Sequence, residues 1–201
     1  MGRVRAAELD AVTLDAYGTL LTLVDPLPHL EALLPDHAPR AIAHAFRAEA
    51  AFYSERAGEG RDAATLTRLR EECVAVFNDA LDSSLSPDTY LSALRFEALP
   101  GTAEALDRLR ALGLTLAVAA NWDFSLHQRL DELGLAGFFA SIIHAARKPA
   151  PDGILRALRE IGVEPSRALH VGDDAADEQA ARAAGVLFAP APLPSAVAGL
   201  T

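Results

Sequence analysis

The chain has 201 residues, of which 51% are hydrophobic, enough for one sizeable core or one domain with a smaller insert and too apolar for global disorder. Its net charge of −10 argues against nucleic acid or an anionic membrane as the main partner; a small anionic substrate needs a local positive site against that field. The lone cysteine, Cys73, excludes an internal disulfide, and the first residues, Met1 to Glu8, lack the apolar stretch of a secretory leader, so a cytoplasmic setting is expected.

In chain order, residues 11–15 read as a short buried strand with turn signals behind it. Residues 27–98 then read as helical throughout. Ala41 to Arg56 carries apolar residues at helical spacing, and Ala63 to Leu81 does the same, with Cys73 on its apolar face. Ser86-Pro87-Asp88 supplies an N-cap, a proline at the first helical position and an acid in the first turn, predicting a helix over 87–96. The arginines Arg47, Arg56 and Arg61 read as a solvated face of this block.

Beyond Pro100-Gly101 the period changes. A helix over 102–112 closes at Gly113, a strand runs from Leu114 to Ala120, and Asp123 and Ser125 cap a helix reaching about Leu133. Phe138 to His144 reads as a strand, Pro151 and Asp152 open a helix ending at Gly162, and Ala168 to Val171 is a strand. A helix over 175–184, with Asp174 as its cap, ends at Gly185. Val186 to Phe188 is a last short strand, and Pro190, Pro192 and Pro194 predict an extended or frayed tail. Strand–helix alternation with short loops implies an α/β fold with a doubly wound parallel sheet. The core is expected over 1–20 and 99–201, with a small all-helical domain, 21–98, inserted after the first strand.

Four features fall at the carboxyl ends of predicted strands: Asp15; Asn121, after Leu116-Ala-Val-Ala-Ala120; Lys148-Pro149; and Gly172-Asp173-Asp174-Ala-Ala-Asp177. In a doubly wound sheet those ends converge on one crevice, so residues distant in sequence share a site. A nucleophilic carboxylate, an amide, an ammonium and further carboxylates form a kit for attack on an anionic substrate. Lys148 is the only lysine, among 17 arginines, which marks a position that needs a compact ammonium rather than a planar fork. His127, His144 and Trp122 also lie near the crevice by sequence, whereas His170, on a buried strand, reads as structural.

The segment Leu14-Asp-Ala-Tyr-Gly-Thr-Leu20, with the other three motifs in this order and a helical insert between the first and second, resembles the haloacid dehalogenase-like (HAD) hydrolases with a helical cap. The fourth motif is similar to that of phosphoglycolate phosphatase-like members. The resemblance covers residues 10 to 188. It implies a Rossmann-like core holding the chemistry and a cap that selects the substrate. It implies Asp15 as covalent nucleophile and Lys148 as the counter-charge to nucleophile and substrate. Asp15, the backbone carbonyl of Tyr17, and Asp173 would be Mg²⁺ ligands, with Asp177 supporting that shell or holding Lys148. Asn121 and the amides after Asp15, from Tyr17 and Gly18, would hold the phosphate oxygens. Gly18 permits the turn and Thr19 is expected to tie it through its hydroxyl.

Two positions depart from the phosphatase pattern. The second aspartate, the proton donor to the leaving alcohol, is replaced by Tyr17, and a hydroxyl residue is replaced by Ala120. A phenol, with a reference pKa near about 10, is a poor donor. The resemblance thus implies a Mg²⁺-dependent phosphatase of a small phosphorylated metabolite, slow or confined to good leaving groups. The Asp-Ala-Tyr-Gly-Thr wording is also similar to the 2-haloacid dehalogenases, which use the same nucleophile at carbon without metal. A catalytically weak or inactive binding protein on this scaffold is the third reading. Residues 189–201 are too short and proline-rich for a further strand and helix, so an open sheet edge, covered in a homodimer, is expected.

Overall fold

The computed structural model describes residues 6–200; residues 1–5, on which the expectation of no leader partly rests, and 201 lie outside them. The chain divides into two compact units, Met1–Thr22 with Ala98–Thr201, and Leu23–Glu97.

The first unit is built on a five-stranded parallel sheet in the order β5-β4-β1-β6-β7. Its strands are β1 (Ala11–Leu14), β4 (Thr115–Ala119), β5 (Ser141–Ile143), β6 (Ala168–Gly172) and β7 (Leu187–Pro190). The central strand β1 is buried along its whole length, which explains its continuous apolar run rather than an alternating one. Its register pairs Thr13 with Ala117 on β4 and with His170 on β6. The crossovers include α5 (Thr102–Ala111), α6 (Leu126–Glu132), α7 (Asp152–Ile161) and α8 (Ala175–Ala184). Ile154, Leu158, Ala180, Ala181 and Ala184 of α7 and α8 pack with Ala11, Ala119 and Ala168 of the sheet. The small side chains let helices and sheet approach closely. Ala117 joins Ala157 of α7 in a second cluster, so Leu116 and Val118 point to the opposite face by strand alternation.

The carboxyl-terminal tail corrects the expectation of an extended or frayed end. Leu193–Val197 forms α9, which packs against α5, with Leu193, Val197 and Leu200 buried. The prolines fit because Pro194 occupies the first turn, where no amide donor is needed. The Arg108 guanidinium on α5 donates to the carbonyls of Ala198 and Leu200 at 2.9 and 2.8 Å, satisfying main-chain acceptors beyond the helix end. β7 is an edge strand, with Leu187 exposed.

The second unit holds α1 (Leu27–Leu33), α2 (Pro39–Arg56), α3 (Ala63–Leu81) and α4 (Pro87–Ser92). They pack around Leu30, Ile42, Val74, Phe77, Leu81 and Tyr90. Asp62 and Thr65 cap α3 reciprocally: Asp62 Oδ1 accepts the Thr65 N–H at 2.8 Å and Thr65 Oγ1 accepts the Asp62 N–H at 3.0 Å. Residues 96–98 are not helical as expected; Phe96–Ala98 (β3) pairs with Leu21–Leu23 (β2) where the chain enters and leaves this unit. Arg56 is not free on a solvated face: it pairs with Glu59 and Glu72 at 2.6 and 2.5 Å. Cys73 is buried and forms no disulfide. Among the described residues no helix is long and apolar enough to cross a membrane.

Candidate active site

The site lies at the carboxyl ends of β1, β4 and β6 and the loop after β5, all within the first unit. Asp15 follows β1 directly and is buried, its main-chain N–H bonded to the Val171 carbonyl of β6 at 2.9 Å. The chain then reverses in a tight turn. Leu20 and Leu21 both donate to the Ala16 carbonyl, and the Gly18 N–H donates to the Leu21 carbonyl at 2.9 Å. Gly18 has φ +77°, and a Cβ there would stand 2.1 Å from Asp173 Oδ2. Gly18 therefore serves by its lack of a side chain, both for the turn and for the approach of Asp173. The expected tie through Thr19 is not made: its hydroxyl is buried without a hydrogen-bond partner, because main-chain bonds already close the turn.

Lys148 joins the site from the loop after β5. Its ammonium is buried, bonds to Asp15 Oδ1 and lies 2.5 Å from Asp177 Oδ1. The loop that delivers it carries two non-glycine residues in the left-handed region, Ala145 (φ 49°) and Arg147 (φ 60°). Such residues cost roughly 1 kcal/mol or more each and persist only where the surroundings hold them. Gly153 is one holder: a Cβ there would stand 2.4 Å from Ala146 Cβ, so the missing side chain lets α7 pack onto the loop.

Asn121 fixes the same loop. Its Oδ1 accepts the Lys148 N–H at 2.8 Å and its Nδ2 donates to the Lys148 carbonyl at 2.9 Å. Most of the amide's bonding capacity is thus spent on the lysine's main chain, and one N–H remains for any other partner.

Asp177, in the first turn of α8, has its carboxylate held by three donors. Lys148 and His170 Nε2, at 3.1 Å, meet Oδ1, and the Asp174 N–H reaches Oδ2 at 3.3 Å. Asp174 is the helix cap, its Oδ1 accepting the Asp177 N–H at 2.9 Å. A Cβ at Gly172 would strike Asp177 Cγ at 2.2 Å, so glycine is required there as well. Asp173 is exposed, and its ligand atom lies with those of Asp15 and Asp177 within 4.8 Å of one another.

The electrostatics follow from burial. Burial pushes the Asp15 carboxyl up to about 7, with the Asp177 charge adding to the effect and Lys148 opposing it. Burial also pushes Asp177 up, but the His170 bond and the Lys148 charge outweigh it and hold Asp177 well below the usual carboxylate range. The two carboxylates in turn keep Lys148 protonated against its own burial. Partial burial, and then the charges of Asp177 and Asp174, raise Asp173.

With all three carboxylates ionised, one ammonium leaves two negative charges on a set of hard oxygen donors. That chemistry fits a divalent cation such as Mg²⁺, whose oxygen ligands at about 2.0–2.1 Å stand roughly 3–4 Å apart. Asp15 and Asp173 are the better candidates to hold it, because Asp177 is already engaged by three donors.

Around Asp15, Tyr17 is exposed (49%), its ring 6.4 Å from that of buried Trp122. Phe124 is also exposed and meets His144 edge-on at 5.7 Å. Thr13 and His170, buried behind the site, form a 2.9 Å bond. Thr13 carries one signal in the sequence, a hydroxyl inside an otherwise apolar strand.

The haloacid dehalogenase-like hydrolase family matches residues 9–185. The phosphoglycolate phosphatase of Aquifex aeolicus is 36% identical over 123 residues, covering 59% of this chain and 54% of that protein. The phosphoglycolate phosphatase of Pseudomonas savastanoi pv. phaseolicola is 32% identical over 178 residues, covering 82% of this chain and 64% of that protein. The chain therefore spans less than two thirds of these relatives. The L-2-haloacid dehalogenase structure from Xanthobacter autotrophicus superimposes with a TM-score of 0.67 at 24% identity, over 90% of this chain and 77% of that one, which establishes a shared fold.

Proposed function

Because the chain belongs to the haloacid dehalogenase-like hydrolases, we propose that it is a phosphatase in which Asp15 attacks the phosphorus of a small phosphate ester or acyl phosphate, with Mg²⁺ as cofactor. One observation carries this reading: the Lys148 ammonium sits on both Asp15 and Asp177 while Asp173 completes a compact set of carboxylates. Three carboxylates would repel a carboxylate substrate but suit a site that receives a cation and a phosphate together.

In the first step an Asp15 carboxylate oxygen forms a bond to phosphorus as the ester P–O bond breaks, and the leaving oxygen takes its proton from water. In the second, water attacks the phosphorus of the aspartyl-phosphate, releasing inorganic phosphate and regenerating Asp15. Lys148 neutralises charge on the nucleophile and the incoming phosphate. Asn121 holds Lys148 by its main chain, and its remaining N–H is available to a phosphate oxygen. Asp15, Asp173 and the Tyr17 carbonyl would hold Mg²⁺, whose chemistry is charge neutralisation and polarisation of the phosphate. Asp177 supports the set by fixing Lys148.

Phosphate release from aryl and acyl phosphates, with Mg²⁺ and with EDTA, tests the reading beside halide release from a short 2-haloacid, with Asp15→Asn as control. Mg²⁺-dependent phosphate release that disappears in the variant is the expected result. Metal-independent halide release would overturn it in favour of displacement at carbon. Turnover of neither class would favour a binding role.

A further inference from the structure

Asp15, the nucleophile of the proposed function, is the end of a buried hydrogen-bonded circuit that starts two residues earlier in the chain, on β1. Thr13 Oγ1 lies 2.9 Å from His170 Nδ1; His170 Nε2 lies 3.1 Å from Asp177 Oδ1; the same oxygen lies 2.5 Å from the Lys148 ammonium; and that ammonium bonds to Asp15. Thr13 and His170 are fully buried and directly opposed in the β1–β6 register. His170 is fully buried, so its ring nitrogens rely on these protein partners.

The charge of Asp177 sets the proton arrangement of this circuit. Ionised Asp177 can only accept, so the proton faces it from Nε2. A neutral imidazole then has Nδ1 as an acceptor, and the Thr13 hydroxyl must donate to it. The Leu169 carbonyl, at 3.5 Å, is a more distant acceptor for that hydroxyl. Burial holds His170 in the neutral form. With Thr13 as donor the Nε2–H tautomer is locked; without it, Nδ1 could carry the proton and Asp177 would lose a donor on the oxygen that holds Lys148.

We propose that His170 is a positioning residue, locked by Thr13 as the Nε2–H tautomer and acting through Asp177 to fix the Lys148 ammonium against Asp15. The proposal rests on the reading of Asp15 and Lys148 as the reacting pair, but its central test does not require turnover. Lys148 is the only lysine of the chain, so lysine labelled with carbon-13 gives a single side-chain signal that reports this ammonium directly. Histidine labelled with nitrogen-15 reports the tautomer of His170.

The wild-type chain should show His170 as Nε2–H. Thr13→Val should change the tautomer population and shift the Lys148 signal, and Thr13→Ser should restore both. If Thr13→Val fails to fold, His170→Gln, which can place an N–H near the same position, against His170→Leu, which cannot, makes the same comparison at Lys148. An Nδ1–H tautomer in the wild type, or a Lys148 signal indifferent to loss of the donor, overturns the proposal. In turnover, Thr13→Val should lower kcat about tenfold or more at nearly unchanged KM, because displaced catalytic groups affect the transition state more than binding. If no substrate of either class is turned over, the hydrolase reading fails while the spectra still decide the circuit.

Discussion

Asn121 grips the main chain of Lys148 from both sides, accepting its N–H at 2.8 Å and donating to its carbonyl at 2.9 Å across 27 residues of sequence. The pair ties the end of β4 to the loop after β5. Each bond to such a group is worth about 1 kcal/mol. Asn121→Ala should therefore lower kcat about 10- to 100-fold with a smaller change in KM, and Asn121→Asp, which keeps the acceptor and loses the donor, should fall between. A raised KM at unchanged kcat would show that the amide serves the substrate rather than the lysine.

Lys148 also matters for stability. Its ammonium offsets two buried carboxylates, and removing one partner of a buried pair typically costs about 3–5 kcal/mol. Lys148→Met should unfold at markedly lower urea concentration in EDTA, and Mg²⁺ should restore part of the loss by binding the carboxylates. Lys148→Arg should not rescue activity, because a planar fork does not fit where one compact cation meets two oxygens. A Lys148→Met protein as stable as the parent in EDTA would show that the pair contributes nothing.

The strands ending in Asp15, Asn121 and Asp173, and the position of Lys148, are legible in the sequence because short apolar runs closed by turn residues identify parallel strands, and parallel strand ends converge. What Asn121 does is not legible, since its amide is spent on a main chain that only the fold brings near. Thr13 and His170 read as buried strand residues, which they are; that they face each other depends on the β1–β6 register, which periodicity does not reveal. The α9 helix is obscured by the prolines flanking Leu193, although Leu193, Val197 and Leu200 have helical spacing. Its stop comes from Arg108, 92 residues from the Leu200 carbonyl it caps. Residues 96–98 form a strand because they have a pairing partner in Leu21–Leu23, a non-local fact.

The raised carboxyl of Asp15 gives a stability signature whose sign is fixed. The folded chain keeps this proton up to about pH 7, whereas the unfolded chain releases it near 3.8. Ionising it in the folded state therefore costs stability as pH rises between those values, in the absence of metal. Asp15→Asn removes the cost. In EDTA at pH 8 the variant should be more stable than the parent by about 2–4 kcal/mol, and the difference should vanish towards pH 4. Asp177 and His170 act in the opposite direction on acidification, so the sign of the difference between variant and parent identifies Asp15. Urea titrations at several pH values measure it; an advantage that grows on acidification would contradict the assignment.

In the proposed mechanism Tyr17 sets the chemical range of the site. Its side chain is exposed, with its ring 6.4 Å from that of Trp122, and the proposed mechanism has no carboxylic acid at this position to protonate a leaving alcohol. General acid catalysis contributes about 10²–10⁴-fold. The parent should therefore hydrolyse phosphates of acidic phenols and carboxylic acids and be slow on alkyl phosphates, with rates falling steeply as the leaving group becomes more basic. Tyr17→Asp should raise kcat on alkyl phosphates about 10²-fold and change nitrophenyl phosphate turnover little, because that leaving group needs no proton. Tyr17→Phe should leave both unchanged if the ring alone matters at this position. Equal turnover of alkyl and aryl phosphates by the parent would mean that another group supplies the proton.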